Sequence, residues 1–240
     1  MIKNPSFLRI ILFPLLLIIL APGHMIADGG KGIDFDPDLK FKKSTNTGDK
    51  TAIVIQTDVG NLEIRTRAHE TSTQKGWRAV PSKDSVSPSS GPEITRAYTY
   101  EFPDGTIVTD NLTVKSGPSN VDVKFSYSAP HPTPGFFYSI LGMPKEMAED
   151  ASIFDENGDN IFPDKKTPCE VKLASQLTFR NRSTGQFLFK VSGDYSSVVV
   201  EFHPSNPEWG LNLLITSVPN AKESKIGDLV ETNWKISFKE

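Results

Sequence analysis

The sequence predicts an all-β protein, a largely antiparallel β-sandwich with one short helical turn. Apolar residues recur at every second position over long stretches, which is the mark of strands with one buried face. Val121, Val123, Phe125 and Tyr127 alternate with Asp122, Lys124, Ser126 and Ser128. Val230, Thr232, Trp234, Ile236 and Phe238 share one face, opposite Glu231, Asn233, Lys235, Ser237 and Lys239. Wound as a helix, either stretch would scatter its apolar side chains around the whole circumference. Glycine-containing turns separate such stretches at short intervals, as in sandwiches and barrels.

Taken from the N-terminus, residues 1–27 read as a secretory signal. Lys3 and Arg9 form a positive n-region, and Ile10 to Leu20 is an apolar run interrupted only by Pro14. A run of about eleven residues is too short to span a bilayer, which takes roughly twenty. Ala21 and Gly23 occupy the −3 and −1 positions of a cleavage site, with Ala27 as the rival and a retained N-terminal anchor as the alternative. Residues 28–50, rich in Gly, Asp, Lys and Thr, read as a flexible lead-in, in which Ile33, Phe35, Leu39 and Phe41 alternate as an edge strand would. Residues 51–240 form one β-sandwich domain, with no internal repeat and no second compositional regime. The mature chain, about 215 residues, is long enough to bury on the order of 70% of its unfolded surface.

Within that domain Asp104-Gly105 separates Tyr98, Tyr100 and Phe102 from Val108, Leu112 and Val114, as a hairpin turn does. Gly117 to Asn120 divides two further strands, and Lys145 to Asp150 is the short helical turn. Asn157-Gly158, between Ile153-Phe154 and Ile161-Phe162, is expected to form a type I′ turn. Phe187, Phe189 and Val191, then Val198, Val200 and Phe202, complete the inward set before the C-terminal strand.

Charge and cysteine content narrow the function classes. Removal of Lys3 and Arg9 takes the 26 basic residues to 24 against 29 acidic ones, a net charge of −5. Such a surface lacks the basic face that nucleic acid or anionic lipid requires, so neither is expected as a partner, and no membrane insertion is expected after signal cleavage. Cys169 is the sole cysteine, so no intramolecular disulfide exists, and the boundary of the leader carries no lipid-acceptor cysteine. A large exported domain without disulfides points to a bacterial export route.

No strong catalytic motif is present. Asp155 to Asn160 places oxygen ligands at alternate positions, as calcium requires, but its glycine is out of place for an EF-hand-type loop and no glutamate closes it. His24, His69, His131 and His203 form no close ligand pair, so no metal and no cofactor is expected. No G-x-S-x-G occurs, and Cys169 lies in no nucleophile signature. Glu63, Glu70, Glu101, Glu146, Glu201 and Glu208 are available for glycosidase-type chemistry, yet nothing singles out a pair, and no catalytic residue is assigned.

Aromatic residues in turns are the remaining signal. Sugar rings present apolar C–H faces to a flat aromatic while amides and carboxylates bond their hydroxyls. Trp234 lies on the apolar face of its strand and is expected in the core. Trp209 stands in a Pro207/Gly210 turn beside Asn206 and Glu208, with Asn212 two residues beyond, and this group is the predicted ligand site. Trp77, after the polar stretch Glu70 to Gly76, is the alternative platform.

Read together, Val59 to Arg65, Gly76-Trp77-Arg78, Asp104-Gly105-Thr106, Val121 to Tyr127, Gly142-Met143-Pro144, the Gly158 hairpin to Pro163, and Asn206 to Leu213 resemble a known arrangement. It is similar to the galactose-mutarotase-like supersandwich, the accessory β-sandwich region of large secreted bacterial proteins that degrade polysaccharides. The resemblance implies long strands and association with carbohydrate, and it carries over no catalytic residue, since no glycosidase domain accompanies residues 51–240. The expected function is a secreted, non-catalytic module with a polysaccharide as ligand. The alternatives are a structural or adhesive cell-envelope protein without a sugar site, and a small lyase or epimerase using carboxylates on a concave sheet. Exposed aromatics would favour the first, a featureless polar surface the second, and two facing carboxylates in a cleft the third.

Overall fold

The computed structural model describes residues 32–43, 51–72, 76–79, 82–84, 90–128, 135–162, 169–172, 176–195, 197–202, 210–216 and 227–240. Among the described residues, sixteen strands and one five-residue helix follow in chain order. They are β1 (Lys40–Lys43), β2 (Thr51–Thr57), β3 (Gly60–Ser72), β4 (Gly76–Ala79), β5 (Ser82–Asp84), β6 (Glu93–Glu101), β7 (Ile107–Ser116) and β8 (Asn120–Ser128). The second half comprises β9 (Gly135–Met143), α1 (Lys145–Glu149), β10 (Ala151–Phe154), β11 (Cys169–Lys172), β12 (Gln176–Asn181), β13 (Phe187–Asp194), β14 (Ser197–Phe202), β15 (Leu211–Thr216) and β16 (Leu229–Ser237). The chain is an all-β sandwich of two antiparallel sheets with almost no helix, as the alternation predicts.

The first sheet runs β1-β2-β3-β9-β15-β14-β11, with β4 on the distal part of β3. The second runs β10-β12-β13-β16-β8-β7-β6-β5. The strand alternations place the sheets face to face: Val121, Val123, Phe125 and Tyr127 of β8 are buried, as are Val230, Thr232, Trp234, Ile236 and Phe238 at the C-terminus. From the first sheet Leu62, Ile64 and Ala68 meet them, with Phe137, Leu141, Leu213 and Ile215. The Phe137 ring stacks on Tyr127 at 4.4 Å between centroids and meets the edges of Tyr100 and Phe102.

The lead-in stretch contributes to this structure. Phe35 bridges Thr57, Leu39 bridges Gly91, and β1 pairs with β2 at the edge of the first sheet. The alternation of Ile33, Phe35, Leu39 and Phe41 explains it: Leu39 is fully buried, and Phe35 stacks on Phe238 at 4.2 Å.

The turns follow a different geometry from the type I′ expected at Asn157-Gly158. Gly158 N–H donates to the Asp155 carbonyl at 3.1 Å, Asp155 N–H donates to the Asp159 carbonyl at 3.0 Å, and Gly158 has φ of +83°. This is a three-residue loop, a turn followed by a left-handed glycine. The Asp155 carboxylate selects it by accepting the backbone N–H groups of Asn157 and Asp159, both at 2.9 Å. The Gly105 turn between β6 and β7 has the same form, with φ of +84°.

Several polar groups inside the sandwich are bonded across it, while the hydroxyls of Thr232 and Ser116 are buried without a hydrogen-bond partner among the described residues. The Trp234 indole N–H donates to Ser139 Oγ at 2.9 Å, and Ser139 in turn donates to the Ile215 carbonyl at 3.3 Å. Thr66 and Tyr100 share a hydrogen bond at 2.8 Å, and burial together with Asp110 pushes the Tyr100 phenol well above its ordinary range. Arg96 is buried with its guanidinium over the rings of Tyr98, at 4.6 Å, and Phe41, at 5.0 Å. Desolvation lowers its pKa, opposed by Tyr98 and Asp110. The two charged side chains fill the positions missing from the apolar alternations of β6 and β7, Arg96 before Tyr98 and Asp110 between Val108 and Leu112.

Trp234→Ala is expected to destabilise the protein by about 3–5 kcal/mol, the cost of emptying a large aromatic site. Ser139→Ala, which strands the indole N–H, is expected to cost about 1–3 kcal/mol. Denaturant titrations of the two variants check both values, and a change below about 0.5 kcal/mol for Trp234→Ala would contradict the burial of that face.

Candidate functional site

Asn206, Glu208 and Trp209 lie outside the described residues. Trp77 belongs to β4, where its backbone pairs with Thr71 of β3. Asn212, in β15, is 1% exposed, and its side-chain carbonyl accepts a 2.8 Å hydrogen bond from Arg65 Nη2. Thr71 is eight residues along β3 from the Asn212 level of the sheet, which β3 meets at Glu63, so Trp77 and Asn212 are separated by about 27 Å of strand. They do not belong to one site.

Asn212 belongs to a polar row on the outward side of the first sheet. Successive cross-strand partners are Val54, Glu63, Gly142, Asn212 and Glu201, on β2, β3, β9, β15 and β14. Arg65, two residues beyond Glu63, extends over β9 to reach Asn212. Gly142 makes the crossing feasible, because a Cβ there would stand 3.3 Å from Asn212 Oδ1 and 3.7 Å from Arg65 Nη2. Glu63 is held by Lys42 at 3.1 Å and Arg65 at 3.6 Å. Beside the row, Tyr138, Ile140 and Leu214 form a second apolar cluster, with Val199 packed against it. The row is therefore dry: Glu63, Arg65 and Asn212 are all buried. Desolvation also lowers the pKa of Arg67 on the same side, against the opposing attraction of Glu201.

Glu63 and Glu201 are three strand spacings apart, about 14 Å at Cα. Glycosidase carboxyl pairs stand roughly 5–9.5 Å apart with a sugar between them. Here the Arg65–Asn212 bond fills the interval, so these two do not face each other across a cleft.

The outward side of the second sheet is open. A groove of about 340 Å³ crosses β7, β8, β16 and β13 there. The register lays its side chains in two cross-strand rows, Lys115–Asp122–Lys235–Ser192 and Thr113–Lys124–Asn233, the second continued on β13 by Asp194 outside the lining. Gly193 and the backbone of Trp234 contribute to the floor. A Cβ at Gly193 would lie 2.3 Å from the Asn233 carbonyl oxygen and 2.5 Å from Trp234 Cα, so only glycine allows this close approach of β13 to β16.

Two groove lysines hold carboxylates outside the lining. Lys124 pairs with Glu231 at 2.6 Å, and Lys115 with Glu93 at 3.5 Å. Hydrogen bonds from Lys124 and then Asn233 hold the Glu231 carboxyl below its ordinary range. Asp122 accepts a 2.9 Å bond from the Asn120 amide. Lys235 has no carboxylate within ion-pair distance among the described residues. The sequence reading recognised Asp122, Lys124, Asn233 and Lys235 as an outward polar face. It missed their convergence, which depends on the pairing of β8 with β16, and it missed Arg65, whose position on β3 reads as one more polar alternation.

No known family model matches the sequence, and no curated protein is similar to it. Among solved structures, a protein from Synechocystis sp. PCC 6803 is similar with a TM-score of 0.43 and 8% identity, over 89% of this chain and 99% of that one. A glycoside hydrolase family 97 enzyme from Pseudoalteromonas sp. strain K8, in complex with panose, is similar with a TM-score of 0.41 and 11% identity, over 84% of this chain. The same enzyme with acarbose gives 0.37 and 13%. The chain spans about a third of the length of those enzymes, 34%. Likenesses this distant carry no conclusion about what the present chain binds.

Two outcomes test these surfaces. Arg65→Ala leaves Glu63 buried beside Lys42 alone and strands the Asn212 carbonyl, so a loss on the order of 3 kcal/mol is expected in denaturant titration. The Glu231 carboxyl is expected to titrate below an ordinary glutamate by NMR. A carboxyl whose folded pKa is depressed stabilises above its unfolded pKa and loses that contribution as the pH falls through the folded value. Lys124→Gln is therefore expected to move the Glu231 midpoint upward.

Proposed function

We propose that the protein is an exported, non-catalytic β-sandwich module that binds polysaccharide. The observation that carries this reading is the open groove across β7, β8, β16 and β13, where ammonium, carboxylate, amide and hydroxyl groups stand in two rows on paired strands. An extended glycan offers a matching succession of hydroxyl donors and acceptors, and strands hold such groups more precisely than loops do. Export rests on the charged and apolar leader of residues 1–27. Trp209, flanked by Asn206 and Glu208, with Trp77 as the alternative, remains the aromatic platform that a sugar ring would stack upon.

A second reading, a structural or adhesive envelope protein without a sugar site, has its own support. Among the residues whose side-chain burial is described, the exposed large hydrophobic ones are Val59, Ile107 and Leu229, all aliphatic.

A glycan array probed with the mature chain, followed by calorimetry, separates the readings. If the groove is the site, Asn233→Ala is expected to weaken binding several-fold while the denaturation midpoint holds. If Trp209→Ala abolishes binding and Asn233→Ala does not change it, the site lies at 206–209. Binding of no glycan gives the lead to the structural reading.

A further inference from the structure

We infer that the groove on the second sheet selects acidic polysaccharide, receiving sugar carboxylates at Lys235. This rests on the reading of that groove as a glycan site and specifies the ligand class.

The lining offers no ring on which a sugar could stack. Trp234, the one aromatic residue there, is 3% exposed and turns its indole N–H inward to Ser139. A neutral sugar would then gain only neutral hydrogen bonds, each nearly balanced by those it gives up to water. Charge-assisted bonds are roughly twice as strong, so a charged ligand is the one this surface can hold.

The sign of that charge follows from the lining, which carries Lys115, Lys124 and Lys235 against Asp122 alone. The partners Glu231 and Glu93 already bond Lys124 and Lys115, so two of the three ammonium groups are partly neutralised. Lys235 stands between them and the small residues of β13. Its cross-strand neighbours are Asp122 on one side and Ser192 on the other. The Cβ position of Gly193 is taken up by the β16 backbone, and on this side the groove is lined by the small Ser192 side chain. A carboxylate placed there would accept from Lys235, with the Ser192 hydroxyl and Asn233 amide available for adjacent ring hydroxyls. The chain as a whole is acidic, with a net charge of −3, so a polyanion is attracted only where ammonium groups gather, as they do in this lining.

The test is calorimetric titration of the mature chain with oligogalacturonate, its methyl ester, and a neutral gluco-oligosaccharide of equal length. Binding of the free acid is expected, weakening as salt is raised. Lys235→Gln is expected to lower the affinity about tenfold, the worth of one charge-assisted bond. Lys235→Arg is expected to retain it, and unchanged denaturation midpoints would exclude unfolding as the cause. Equal binding of the ester or the neutral chain, with Lys235→Gln without effect, would overturn the acidic selectivity and leave the polysaccharide reading standing. Absence of binding by all three, on a chain that also fails the glycan array, would overturn both.

Discussion

Two sheets pressed face to face exclude water from the space between them, and a polar group caught there is stabilised only by a partner inside. This constraint organises the molecule. Trp234 fills the interior with the largest side chain available, and its one polar atom is met by Ser139 from the opposite sheet. Tyr100 and Thr66 meet across the same gap. An unbonded donor at either place would cost roughly what a hydrogen bond is worth or more, so these contacts align the sheets in a way that apolar packing alone does not. The burial of Arg96 and Asp110 is the extreme case. Aromatic faces from β1 and β6 receive the guanidinium, which also draws the N-terminal stretch into the sandwich through Phe41.

The outward sides of the two sheets have opposite characters. On the first, a guanidinium bridges three strands and an apolar cluster lies beside it, all out of water. Groups so placed serve cohesion: Arg65 bonds Asn212 and pairs with Glu63. On the second, lysines, an aspartate and an asparagine face solvent in a shallow groove, free to exchange water for a ligand. The proposed recognition is assigned to the wet side for this reason.

The groups lining the groove are suited to the binding proposed for it. Its titratable groups are lysines and an aspartate on adjacent strands, without a positioned pair of carboxyls and without a nucleophile beside a base. The Asp155 loop, whose composition hints at calcium, uses its carboxylate to cap its own backbone. Among the described residues no group of three or more His, Cys, Asp or Glu side chains is gathered as a metal site would require.

The sequence by itself determined the all-β class, the strands with one buried face, the place of the short helix and the burial of Trp234. Each of these follows from local periodicity and turn composition, which a strand reports residue by residue. Turn type was only partly legible, because Asn157-Gly158 permits more than one hairpin geometry and the choice fell to the Asp155 carboxylate. The candidate site was not legible as a site. Lys115, Asp122, Ser192 and Lys235 are spread over 120 residues of chain, from 115 to 235, and become neighbours only when β7, β8, β16 and β13 pair in register. Asn212 was read as a surface ligand because it follows a polar turn, and only tertiary structure placed Arg65 against it. Period two tells which side of a strand a residue faces. Whether that side is wet or dry depends on what the rest of the chain lays over it, and that is decided in three dimensions.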